Sequence, residues 1–174
     1  MNRQEEKSVS FKLLGLVFIF SSGIYSAFLY GRSFDLRVNN LTLFSSDADF
    51  YINSVLYGKL KSGEITKELI KRQKWPMEKF YKKILLYLET GEEDVLDKAF
   101  SKELYLKKTD EENLKGFFKC LGKSDYQSQV KELEFKKSCI RDCLSKAVEE
   151  KNKNQRSGAM LTLGIFLTII IFLI

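Results

Sequence analysis

The sequence predicts an all-α chain in which two transmembrane helices flank a small multi-helix domain of the α-hairpin type. Three observations carry that expectation. There is one proline in 174 residues; proline breaks helix interiors, so its scarcity beside abundant Lys, Glu and Leu favours long helices. Apolar residues in the middle recur at i, i+3 and i+4. The two ends are apolar, although the whole chain is 30% charged with a mean hydropathy of −0.21. The implied organisation is a basic tail (1–10), a first span (11–30), an extended linker (31–45), a helical domain (46–156) and a second span (157–174).

The first span reads FKLLGLVFIFSSGIYSAFLY, Phe11 to Tyr30, with Lys12 as its only charge. About twenty such residues cross a ~30 Å hydrocarbon core as a helix. Arg3 and Lys7 precede it, Arg32 follows, and Tyr25 and Tyr30 suit an interface. A cleaved signal peptide ending at Ser21-Ser22-Gly23 is the rival, but the chain stays apolar beyond it. An uncleaved signal-anchor is therefore expected. Ser22/Ser26 and Gly23/Ala27 are small-xxx-small pairs, candidates for helix–helix contact in the membrane. Ordinary small residues are the plainer reading.

Ser33 to Phe44 shows no helical period and reads as an extended linker or one short strand. From Ser46 the pattern is helical: Ala48, Tyr51, Ile52, Val55, Leu56 and Leu60, opened by Ser45-Ser46-Asp47 and closed by Ser62-Gly63. Ile65, Leu69 and Ile70 mark a shorter helix that stops at Trp75-Pro76. Pro76 suits the first turn of the next, which buries Met77, Phe80, Tyr81, Ile84, Leu85 and Leu88 and ends at Thr90-Gly91. Val95, Leu96, Ala99, Phe100 and Leu104 carry another helix. Thr109-Asp110-Glu111-Glu112 and Ser124-Asp125-Tyr126-Gln127 are capping-box signatures for two more.

The last helix of the domain has a heptad-like seam through Tyr126, Val130, Leu133, Lys137, Ile140, Leu144 and Ala147, interrupted by Lys137. Ile52, Leu56, Leu60 and Ser62-Gly63-Glu64 return as Phe80, Ile84, Leu88 and Thr90-Gly91-Glu92. That plan resembles TPR-like hairpins, but two unrelated amphipathic hairpins explain it as well. The second span, apolar from Met160 except for Thr162 and Thr168, reaches ~27 Å counted from Ser157. It lacks the polar spacer of a GPI signal.

Two spans put both termini on one side. The basic N-terminal tail places the termini in the cytoplasm and the middle domain outside it. Arg141, Lys146, Lys151, Lys153 and Arg156 ahead of the second span favour the reverse. The Asn40-Leu41-Thr42 sequon carries little weight.

The chain contains no histidine. That excludes Ser-His and Cys-His nucleophiles, imidazole acid–base chemistry and His-containing zinc sites. Cys120, Cys139 and Cys143 are candidates for a disulfide or for plain thiols; an exported domain could join Cys120 to Cys139 or Cys143. Cys139 and Cys143 resemble half of a twin Cys-x3-Cys pattern, but Gly116 stands where a fourth cysteine is needed. The densest basic stretch is Lys71, Arg72, Lys74, Trp75, Lys79, Lys82 and Lys83, with Phe80 and Tyr81 interleaved. It is a candidate membrane-surface or partner patch, or a solvated helical face. Glu92-Glu93-Asp94 and Glu111-Glu112 complement helix N-termini.

No phosphate loop, nucleophile elbow or metal motif is present. The expectation is a non-enzymatic accessory, scaffold or immunity-type protein that docks a membrane or envelope complex, with no cofactor, metal or small-molecule substrate. The lipid bilayer and a membrane complex or homo-oligomer are the expected partners, and nucleic acid is disfavoured. The alternative is a pore-forming or holin-like protein acting through oligomerised spans; an enzyme using Cys139 or Cys143 ranks third.

Overall fold

A computed structural model describes residues 3–58, 60–121 and 126–173. These form α1 (Arg3–Leu56), α2 (Ser62–Arg72), α3 (Met77–Thr90), α4 (Glu93–Ala99), a 3-10 turn (Lys102–Leu104), α5 (Lys108–Lys119) and α6 (Tyr126–Leu173). The described residues are all-helical or in connections, with no strand among them. The chain divides into two compact units, Leu36–Val148 and Met1–Asp35 together with Glu149–Ile174.

The expected transmembrane helices are overturned. Among the described residues no helix is long and apolar enough to cross a membrane. The first apolar run is part of a 54-residue helix that continues into Arg32, Asp35 and Arg37. Its described apolar side chains extend from Val17 to Tyr30 and are broken by Ser21, Ser22, Gly23 and Ser26. The C-terminal run is described from Ser157 to Ile171. The two-pass, signal-anchor reading falls with them, as does an integral membrane location with both termini cytoplasmic. A pore built from oligomerised spans loses its basis too. The side chains of Arg3, Lys7, Lys12 and Arg156 lie outside the described ones.

In the unit made by the chain ends, α1 and α6 run antiparallel. Phe166 lies against Gly23, Tyr30 lies against Gly158, and Lys151 Nζ reaches Asp35 Oδ1 at 2.6 Å. A Cβ added at Gly23 would come within 2.6 Å of the Phe166 ring, so this approach requires glycine. Large apolar side chains such as Phe18, Phe28, Met160 and Ile171 remain exposed.

In the unit 36–148, the segment 31–45 that leads into it is helical, not extended. Arg37, Asn40, Leu41, Phe44, Ser45, Ala48, Tyr51, Ile52 and Val55 are all buried and recur at helical spacing. Polar members of that stripe hide its period in the sequence. Each finds a partner far along the chain. Arg37 pairs with Asp110 of α5, and Asn40 Nδ2 donates to the Leu104 carbonyl at 2.8 Å.

Punctuation works as expected around α3. Pro76 occupies its N-cap, and Gly91 ends it in the left-handed region at φ 73°, donating its N–H to the Tyr87 carbonyl at 2.8 Å. Gly63 has no such role, because it lies in the first turn of α2. The two hairpins of the apparent repeat are therefore not equivalent. The helix expected from Val95 to Leu104 stops at Ala99. Leu104 is instead buried from a 3-10 turn followed by Tyr105 at φ 52°. The cap of α5 is shifted from Thr109 to Lys107, whose N–H donates to Asp110 Oδ2 at 3.0 Å. The capping box at Ser124-Asp125 lies outside the described residues.

The core of this unit is aromatic and packed edge to face. Phe44, Phe80 and Phe118 stack in sequence, with ring centroids 5.0 Å apart for Phe44–Phe80 and 5.5 Å for Phe80–Phe118. Leu41, Cys143 and Ala147 form a smaller cluster between α1 and α6. Lys137, which interrupts the seam of α6, pairs with Asp49 of α1.

Candidate functional site

The basic residues gather on α2, on α3 and at the turn between them. Trp75 projects from that turn and is 65% exposed. Most of the cations already have partners. Lys71 Nζ lies 2.8 Å from Glu68, Lys82 Nζ 2.6 Å from Glu78 and Lys79 Nζ 3.6 Å from Glu103. Lys83 donates to the Lys98 carbonyl of α4. The Arg72 guanidinium sits 4.2 Å above the Phe50 ring of α1. Lys74 is exposed beside Trp75. The surface keeps a positive excess, with eight basic against four acidic side chains from Lys61 to Glu89.

A buried polar network fixes this turn to α1. Gln73 Nε2 donates to both Asp47 carboxylate oxygens at 3.0 Å, and the Tyr81 hydroxyl donates to Asp47 Oδ2 at 2.8 Å. Burial raises the Asp47 pKa, while the Tyr81 and Gln73 bonds and the Arg72 charge oppose the shift. Burial and the Asp47 charge push the Tyr81 phenol well above its usual range. Tyr51, bonded to the Thr66 hydroxyl, is raised for the same first reason, burial. These groups hold geometry; Asp47, Tyr51 and Tyr81 are all buried under the surface they support.

A groove of about 1030 Å³ lies at the opposite end of the α2–α3 hairpin. Val55, Leu60, Leu85, Leu88 and Leu121 line it, and its rim balances Lys61 and Lys67 against Glu64 and Glu89. The sequence reading missed it, because it is assembled from the edges of four helices whose spacing reports each face separately.

None of the three cysteines is joined in a disulfide. Cys120 Sγ bonds the Gly116 carbonyl at 2.9 Å and Glu132 Oε1 at 3.0 Å within the aromatic core. Cys143 accepts from Asn113 Nδ2 at 3.2 Å and belongs to the second cluster. Cys120 and Cys143 belong to separate clusters, and the disulfide considered from Cys120 to Cys139 or Cys143 is absent among the described residues. Burial pushes the Cys143 thiol up, and the Asp110 charge adds to the shift. Among the described residues no three Cys, Asp or Glu side chains converge to hold a metal ion.

Of the four small residues in the first apolar run, Gly23 and Ala27 are buried and Gly23 receives Phe166 of α6. Ser22 and Ser26 are exposed, and the Ser22 hydroxyl bonds back to the Ile19 carbonyl at 2.8 Å.

No curated protein and no solved structure matches the chain. A family model does, that of stage III sporulation protein AB, over residues 12–174. That match spans nearly the whole chain, so this protein belongs to the stage III sporulation protein AB family and is a sporulation-related accessory protein.

Proposed function

We propose that the chain acts in sporulation by binding, with the helical unit 36–148 docking a membrane or envelope protein complex and no catalytic step of its own. The observation that carries this reading is the turn at Trp75. An exposed tryptophan stands in a basic turn, two residues after Gln73, which is bonded to the buried Asp47 that also accepts from Tyr81. Tryptophan and arginine dominate protein interfaces because they give large contact area at small entropic cost, and a pre-organised surface loses least on binding.

The test is to isolate the full chain from sporulating cells in mild detergent and measure mass and composition by light scattering after size exclusion. A second protein at a fixed ratio is the expected result. A lone homo-oligomer that leaks dye from liposomes would sink the docking reading and revive membrane activity.

A further inference from the structure

We infer that the surface around the α2–α3 turn, centred on Trp75 with Lys71, Lys74 and Lys79, receives an acidic surface of a protein partner. The inference rests on the docking reading above and names where and what the unit docks. Charge gives the sign. Around the turn, the six basic side chains from Lys71 to Lys83 stand against Glu68, Glu78 and Glu103, a surplus of three positive charges. Complementary potentials steer association and fix register.

The arrangement of those charges selects a protein over a lipid or nucleic-acid surface. Glu68, Glu78 and Glu103 lie beside Lys71, Lys82 and Lys79, so carboxylates are interleaved through the patch. A continuous sheet of phosphates would meet each of those carboxylates as a like charge. A folded partner can set Asp or Glu opposite the lysines and leave room at the glutamates. Lys74 is exposed next to Trp75, and Trp75 supplies the apolar centre. A buried aromatic anchor inside a charged rim is the usual plan of a protein interface. The groove at the far end of the hairpin offers no such sign, because its rim is balanced.

The experiment is site-specific photo-crosslinking of the full chain in sporulating cells, with the probe amino acid at position 75, or at Tyr57 or Phe135 on other exposed faces. Adducts are mapped by mass spectrometry. The expected product joins position 75 to a protein segment rich in Asp and Glu. The double variant K71E/K74E should lower its yield at least ~10-fold, since like charges across an interface are strongly unfavourable. K71R/K74R should retain it, and both variants should keep wild-type helical CD and melting.

Adducts to lipid or nucleic acid alone at position 75, or a protein adduct indifferent to charge reversal, would overturn the inference. Protein adducts at position 57 or 135 with none at 75 would overturn this surface and leave docking standing. No protein adduct at any position would overturn both.

Discussion

Replacing Asp110 with Ala should remove about 4 kcal/mol from the stability of the unit 36–148. Arg37 Nε lies 2.7 Å from Asp110 Oδ2, and Nη2 lies 3.0 Å from Oδ1, a two-pronged bond between α1 and α5. The side chains are 7% and 1% exposed, so water cannot replace a missing partner. Removing one member of a buried pair costs ~3–5 kcal/mol, because the other charge stays desolvated and uncompensated. The variant also strips the Lys107 N–H of its acceptor at the start of α5, and a lost cap adds ~1 kcal/mol where it does not overlap. Against a total of ~5–15 kcal/mol, that is a large share.

The assay is urea unfolding of the full chain followed by near-ultraviolet CD, with variants D110A, R37A and R37M/D110L. The double variant, which leaves no orphaned charge, should return to within ~2 kcal/mol of wild type, as apolar replacements of buried pairs do. A D110A cost under ~1 kcal/mol, or a double variant as damaged as the two singles added together, would refute the argument that burial makes this pair interdependent.

Three further outcomes follow from particular residues. Burial raises the Asp47 pKa above its ordinary 3.8, so the folded state holds that proton more tightly than the unfolded chain. The associated stabilisation is complete below 3.8 and is lost as pH rises through the raised value. Relative to Asp47→Asn, the native chain should therefore become less stable from pH 4 to pH 7 in urea titrations; a difference that grows the other way would contradict the sign. Under iodoacetamide at pH 8, half-buried Cys139 should modify first, with Cys120 and Cys143 protected by burial. Peptide mass spectrometry reads the order, and Cys143 reacting fastest would count against its placement. Gly91→Ala should cost ~1 kcal/mol through the positive φ alone, because open space surrounds the position. A melting temperature unchanged by Ala would mean that the left-handed turn is not kept in solution.

What the sequence disclosed and what it concealed divide along physical lines. Signals carried by neighbouring residues were legible: the Pro76 start and Gly91 stop of α3, the periodicity of α2, and the apolar face ending in Leu88. The helix through 31–45 was not, because its buried stripe contains Arg37 and Asn40, whose partners stand at Asp110 and Leu104. Lys137 looked like a flaw in the seam until Asp49 of α1 was placed opposite. The break after Ala99 was hidden because Leu104 continues the apolar pattern while packing from a 3-10 turn. Two runs of apolar residues at the ends invited a membrane reading, yet among the described residues no helix is long and apolar enough to cross a membrane. At the basic patch, Lys71–Glu68 and Lys82–Glu78 could have been anticipated from i, i+3 and i+4 spacing. Lys79–Glu103 and the anchoring of Gln73 by Asp47 needed the fold.

The most direct test of the account couples sporulation to complex formation in one strain series. The sole copy of the protein is replaced by wild type, W75A, K71E/K74E, K71R/K74R or D110A. Heat-resistant spores are counted beside the amount of the isolated complex and of the protein itself. If the chain works by docking, spore yield should follow complex abundance across the series, falling in W75A and K71E/K74E at unchanged protein level and surviving in K71R/K74R. Spore yield that stays at wild-type level while the complex is lost, or that falls while the complex is intact, would contradict it.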